Sequence, residues 1–366
     1  MTVGYFAPLP PARTGVADYA AVLLQELRRH GPVEVAPARC DAALYQLGNN
    51  PLHAEIYRRA LERPGVVTLH DAVLHHFLLG QLSETEYIEE FVYNYGEWSR
   101  GLARELWAGR AASGVDARYF EFPMLKRAVE KAAAVVVHNP AAARMVRDAA
   151  PGARVVEIPH LSFPNRPAGE WEIGRYRDRL GIGGSDFVFG VFGYLRESKR
   201  LHNVLEVFAQ VHRAIPATAL LVAGEFVSSG LERSVAPLLE QPGVVRRPFL
   251  KDAEFRLAAS MVDACINLRD PAAGETSGMV VRLMGLGKPV LVTDSAECGR
   301  LPEDACIRIP PGPPERESLL HHMILLPSIL EVARGIGSRG AAYLAEHHRV
   351  DRIGQQYWDL LCDTCV

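Results

Sequence analysis

The sequence predicts an α/β protein built on parallel sheets and divided into two units. Short, near-continuous apolar runs recur from one end of the chain to the other, as strands do when helices cover both faces of a sheet. Amphipathic stretches at helical spacing separate those runs. The length of 366 residues exceeds one ordinary core and suits two Rossmann-like halves, so a cleft between them is expected.

In the first half the strand runs are VGYF at 3–6, VVTLH at 66–70, AVVVHN at 134–139 and VVEIPH at 155–160. The second half continues with FVFGVFG at 187–193, ALLVAGE at 219–225, ACINLR at 264–269 and PVLVTD at 289–294. The clearest helices between them are VADYAAVLLQELRRH at 16–30 and RLHNVLEVFAQVHRAI at 200–215. SFPNRPAGEWE at 162–172 has two prolines, a glycine and little periodicity, which marks a linker. The last stretch, VDRIGQQYWDLLCDTCV, reads as a helix added after the second unit is complete, so it must dock elsewhere.

Composition excludes several classes. Hydrophobic residues at 48% and charged residues at 23% describe a globular protein, not a disordered one. Lys and Arg number 40 against 43 Asp and Glu, a formal charge of -3, so no broad footprint for nucleic acid is expected. Neither a secretory leader nor a long apolar span is legible, which predicts a cytoplasmic protein. The cysteines at 40, 265, 298, 306, 362 and 365 form no disulfide framework, and Cys362 and Cys365 make a CxxC without a second ligand pair. No metal and no cofactor are expected.

Ligands of open parallel sheets sit beyond the carboxyl ends of the strands, so the residues after each strand are the ones to read. The loop GYFAPLPPARTGVADY puts Gly15 at a helix start, where it serves either close approach of an anionic ligand or a tight turn. His70 in VVTLHD ends a strand and is either a donor to a sugar hydroxyl or phosphate or a structural histidine. His138 and His160 share that placement with less around them. In FGVFGYLRESKR, Gly190 and Gly193 lead to Arg196, Lys199 and Arg200; cations at a helix start oppose its dipole unless an anion is present.

The most specific stretch is LRDPAAGETSGMVVRLMGLGKPVLVTD at 268–294. There Glu275 follows Gly274; Thr276, Ser277 and Gly278 are candidate caps, and a helix closes at Gly287. Glu275 either accepts from sugar hydroxyls while the helix amides face a phosphate, or complements the dipole as a first-turn carboxylate.

With those residues laid out, the chain resembles the retaining glycosyltransferases of family 4, the group 1 glycosyltransferases of GT-B fold, over nearly its whole length. The carriers are PLPPARTGVADY, VVTLHD, FGYLRESKR and above all GETSGMVVRLMGLGKPVLVTD, which parallels the family's glutamate-helix motif. The resemblance implies two Rossmann-like domains facing across a cleft: an acceptor-side domain at 1–165, a nucleotide-sugar domain at 166–345, and a helix at 346–366 crossing back to the first. It implies sugar transfer with retention and without a metal ion, and no D-x-D motif occurs. Position by position, Lys199 matches the phosphate-binding lysine, Glu275 the first glutamate of the motif, Gly15 the N-terminal loop glycine and His70 the histidine near the reacting sugar.

Two positions depart from the family pattern. Tyr194 follows the loop glycine where an arginine is usual, which leaves Arg196 to supply the second charge. Arg282 stands at the place of the ribose-binding glutamate, as a ribose contact, a phosphate contact or a structural ion pair.

The expected enzyme binds its donor through Gly15, Gly193, Arg196, Lys199, Glu275, Thr276, Ser277, Gly278 and Arg282, with Glu275 and His70 at the transferred sugar. Its acceptor is a glycan, a lipid-linked sugar or a small molecule. Two alternatives accompany this expectation: a nucleotide-sugar-binding protein without transfer activity, and a GT-B enzyme acting on the nucleotide sugar itself, such as an epimerase. RGLARELWAGR at 100–110 is either a solvated basic face or a peripheral contact with the inner face of the membrane.

Overall fold

The computed structural model describes residues 1–163 and 166–365. Its contacts divide the chain into a first unit, Met1–Leu161 with Pro271–Gly278 and His348–Val366, and a second, Ser162–Asp270 with Met279–His347. Residues 164 and 165, inside the predicted linker and at its predicted boundary, lie outside the described residues, as does Val366.

The first unit holds β1 (Val3–Phe6), β2 (Val33–Val35), β3 (Ala42–Leu47), β4 (Val66–Leu69), β5 (Ala134–Val137) and β6 (Val155–Glu157). They form one parallel sheet in the order β2-β1-β3-β4-β5-β6. β1, β3, β4 and β5 are buried throughout, because helices cover both faces. The helix Gly15–His30 returns the chain from β1, capped by the Thr14 side chain, which accepts from the Val16 amide.

The last helix, Val350–Asp363, lies in this unit against the helix Gly15–His30. It brings the Tyr357 hydroxyl to 3.0 Å from that of Tyr19 and 3.3 Å from Thr68 Oγ1.

The second unit holds β7 (Phe187–Phe192), β8 (Thr218–Ala223), β9 (Val244–Arg247), β10 (Ala264–Asn267), β11 (Val290–Thr293) and β12 (Ile307–Ile309). Their order is β12-β11-β10-β7-β8-β9, again all parallel. The order reverses between β7 and β10, which are neighbours in space and far apart in sequence. Such a reversal opens a crevice above the sheet, because the chain leaves the two strands in opposite directions.

The expected α/β class is found, and every strand predicted from an apolar run is present. The helices predicted at 16–30 and 200–215 appear as Gly15–His30 and Leu201–Ala214. The tail of the predicted linker is already helical from Glu170. β2, β3, β9 and β12 are additional to the predicted set. Among the described residues no single helix is long and apolar enough to cross a membrane.

Candidate functional site

Each sheet presents a rim of side chains at the carboxyl ends of its strands, and the two rims differ in chemistry. In the first unit, β4, β5 and β6 are followed by His70, His138 and His160, all buried around the ring of Tyr19. Their ring centroids lie 4.7, 5.3 and 4.8 Å from that of Tyr19, and His70 and His138 are 5.2 Å apart. The register of β4 and β5 puts His70 beside His138, and the chain beyond β6 runs past Ile158 to bring His160 to the same tyrosine ring.

Hydrogen bonds fix most of the rings. His138 Nδ1 donates to the Ile158 carbonyl at 2.8 Å, and His53 Nδ1 to the Gln46 carbonyl at 2.9 Å. His70 Nε2 instead faces the side-chain oxygen of Gln46 at 2.7 Å, while its backbone amide donates to Leu47 at 2.8 Å. Burial holds His53, His70 and His138 neutral. His138 and His53 are each lowered to about 4 by loss of hydration, partly opposed by their backbone hydrogen bonds. His70 is pushed well below its ordinary value, first by burial and then by His138, His160 and His53 around it.

The loop Pro271–Gly278 belongs to this unit, and with it Glu275, Thr276, Ser277 and Gly278. Asn139 holds it. Its side-chain oxygen caps the helix Pro140–Ala149 at the Ala142 amide, and its Nδ2 donates to the Gly274 carbonyl at 2.9 Å and to Thr276 Oγ1 at 3.0 Å. The Ala72 amide donates to the Ala273 carbonyl at 2.9 Å. Gly274 has φ +69°, and a Cβ there would come within 2.6 Å of the Ala72 Cβ, so the close seat of this loop requires glycine.

Glu275 is half-buried, and its Oε2 accepts from the Ala273 amide at 2.7 Å, which turns the carboxylate back over its own loop. Gly15 is exposed at the first helical position, and a Cβ there would meet no atom within 4 Å.

In the second unit the loops after β7 and β10 flank the reversal of strand order. The Asp270 amide donates to the Ser198 carbonyl at 2.8 Å, tying the two loops together. Gly193 has φ +90°, and Gly224 is needed beside it, since a Cβ on Gly224 would lie 1.8 Å from the Gly193 carbonyl oxygen.

The three cations of the loop have separate fates. Arg196 is exposed and makes no ion pair among the described residues. Lys199 is buried, and its Nζ donates to the Phe192 carbonyl at 2.5 Å, at the end of β7. Arg200 pairs with the buried carboxylate of Glu315 at 3.0 Å and is structural.

Arg282, on the helix Gly278–Gly285, lies over the rings of Phe163 and Phe255 at 4.6 and 5.1 Å, with the Asp252 carboxylate at 3.7 Å. Arg110 likewise stacks on Trp107 at 4.3 Å in the basic stretch 100–110.

The predicted site residues thus fall into two sets: Gly15, His70, Glu275, Thr276, Ser277 and Gly278 in the first unit, and Gly193, Arg196, Lys199 and Arg282 in the second. Sequence reasoning passed over Gln46, Asn139 and Tyr19. Asn139 carried a legible signal, since an Asn-Pro pair after a strand is a helix start. No group of three or more His, Cys, Asp or Glu among the described residues is placed to hold a metal ion.

The class of known structures that shares this architecture is the GT-B glycosyltransferases, so the expected GT-B fold is the fold of this chain. Sucrose-phosphate synthase from Thermosynechococcus elongatus matches with a TM-score of 0.70 at 13% identity, over 99% of each chain. HepE of Anabaena, in complex with UDP and glucose, matches with 0.64 at 16% identity, over 99% of this chain and 100% of its own. WaaG, a glycosyltransferase involved in lipopolysaccharide biosynthesis, matches with 0.65 at 13% identity, over 98% of this chain and 99% of its own. No protein-family model matches the sequence, and no curated protein matches it.

Proposed function

We propose that this chain transfers a sugar from a nucleotide-sugar donor to an acceptor hydroxyl, with retention at the anomeric carbon and without a metal ion, as a glycosyltransferase of family 4 type. The observation that carries the reading is the strand-order reversal between β7 and β10. There a positive-φ glycine, an exposed Arg196 with no ion pair among the described residues and the tied loops at Ser198 and Asp270 offer a diphosphate both room and charge. The shared fold supports it, since HepE of that fold is known in complex with UDP and with UDP-glucose.

In this reading Arg196 and Lys199 stabilise the negative charge that grows on the diphosphate as the bond from anomeric carbon to phosphate oxygen breaks. Preorganised charge of this kind usually lowers such a barrier more than any other effect. The acceptor oxygen forms the new glycosidic bond on the same face, and its proton passes to the departing phosphate oxygen. His70 and Glu275 hold hydroxyls of the sugar, and the open space at Gly15 admits a ligand beside the first helix. Arg282, stacked on two phenylalanine rings, is a structural cation.

The test is product analysis with UDP-, GDP- and ADP-sugars, a panel of glycan, lipid-linked and small-molecule acceptors, and chelator throughout. The reading expects a glycoside with the donor's anomeric configuration. An inverted product or a requirement for added metal refutes the mechanism. An altered nucleotide sugar formed without acceptor identifies an epimerase instead, and tight donor binding without turnover identifies a binding protein.

A further inference from the structure

We propose that Gln46 is a positioning residue: its side-chain carbonyl fixes His70 as the Nε2–H tautomer and so presents Nδ1 as a hydrogen-bond acceptor to a hydroxyl of the sugar or of its acceptor. The hydroxyl partner rests on the transferase reading above; the tautomer does not.

Gln46 interrupts the otherwise apolar run of β3 and is fully buried, paired in register with Thr68 of β4. A buried amide is costly unless hydrogen-bonded, so its presence in a central strand calls for a specific partner. That partner is His70: Gln46 Oε1 lies 2.7 Å from Nε2, and the amide nitrogen of Gln46 has no hydrogen-bond partner among the described residues. The one hydrogen bond this side chain makes among the described residues is therefore to the imidazole. An amide oxygen has lone pairs and no proton, so the ring nitrogen facing it must be the donor.

The neighbouring histidines show the contrast. His53, His138 and His160 each turn Nδ1 to a backbone carbonyl at 2.9, 2.8 and 2.8 Å, which makes Nδ1 their protonated atom. No backbone carbonyl takes that role for His70, and its Nδ1 makes no hydrogen bond among the described residues. The Leu47 carbonyl fixes the residue's amide, and Tyr19 stands edge-on to the ring at 4.7 Å. Ring, tautomer and direction are thus set by Gln46 at one end and by Tyr19 at the side. The titratable groups facing His70 are Tyr19, His53, His138 and His160, and burial keeps the ring neutral among them. A neutral imidazole with a bare Nδ1 accepts from a hydroxyl and cannot donate to a phosphate from that atom.

Long-range 1H–15N spectra of the histidine-labelled full chain, without substrate, read the tautomer directly. Nε2–H on His70 is expected; Nδ1–H there would mean that the Gln46 amide nitrogen faces the ring, and would overturn the proposal. Gln46→Glu keeps the acceptor and adds a charge, so the pH at which His70 protonates should rise by one unit or more, with the acid limb of kcat/KM rising alongside. Gln46→Leu should lower kcat/KM at least tenfold, leave that limb in place and leave UDP affinity unchanged. An unmoved limb in Gln46→Glu, or full kcat/KM in Gln46→Leu, refutes the positioning role. If neither variant folds, the wild-type spectra still decide. The predicted tautomer in a chain inactive with every donor would count against the transferase reading alone.

Discussion

The two sheets are alike in topology class and unlike in what they present at their carboxyl ends. Each reverses its strand order once, between β1 and β3 and between β7 and β10, but the first ends in buried imidazoles held by Gln46 and backbone carbonyls and the second in glycines and cations. The difference teaches that one architecture, used twice, can divide recognition by chemistry: neutral acceptors suit hydroxyls, and cations suit a diphosphate.

The largest effect expected from this contrast is acid lability of the first unit. His53 and His138 protonate near pH 4 in the folded chain and near 6.5 when unfolded, so between those values the unfolded chain binds more protons. Stability should be full above pH 6.5, fall as the pH drops toward 4 and level off below, by up to about 3 kcal/mol for each histidine at 1.36 kcal/mol per unit. Urea unfolding followed from pH 7 to pH 4 checks this. A flat midpoint would contradict neutral burial.

Next comes Arg200→Ala, which leaves the buried Glu315 carboxylate without its cation, with only the Asn203 amide still donating to it among the described residues, and should cost about 3 kcal/mol of stability in the second unit. Replacing Glu315 with leucine in the same chain should recover most of the loss. If Arg200→Ala instead leaves stability intact and weakens nucleotide binding, that cation belongs with the ligand set.

Lys199→Ala should cost on the order of 1.5–3 kcal/mol of nucleotide affinity by calorimetry, through loss of a charge-assisted contact. Unchanged affinity would mean that its bond to the Phe192 carbonyl is its whole role.

The smallest effect is that of Arg282→Glu. It removes a guanidinium from two aromatic faces and puts a carboxylate near Asp252, so a stability loss of about 1 kcal/mol is expected with little change in donor binding. A wild-type melting curve together with tighter donor binding would place position 282 at the ribose.

The central strands were legible because burial on both faces writes continuous apolar runs such as FVFGVF and AVVV. β2, β9 and β12 were not, because they are short edge strands whose few apolar residues are broken by charged ones, as in VEV, VVRR and IRI. β3 is central yet contains Gln46, the residue that breaks its apolar run and holds His70. Strand-end placement pointed to His70 and the glutamate loop from sequence alone. The grip of Asn139 on Gly274 spans 135 residues and leaves no local pattern to read. The inward turn of Lys199 and the outward one of Arg196 are likewise set by packing, which residue type does not encode.

The claim that the second unit's rim takes a diphosphate by charge is tested most directly by calorimetric titration of UDP, GDP and ADP into the full chain at low and high salt. The account predicts that at least one of them binds, more weakly as salt rises, and that Arg196→Ala weakens it severalfold without altering the unfolding midpoint, since Arg196 is exposed and unpaired among the described residues. No binding by any of the three, or binding indifferent to both salt and Arg196, would contradict it.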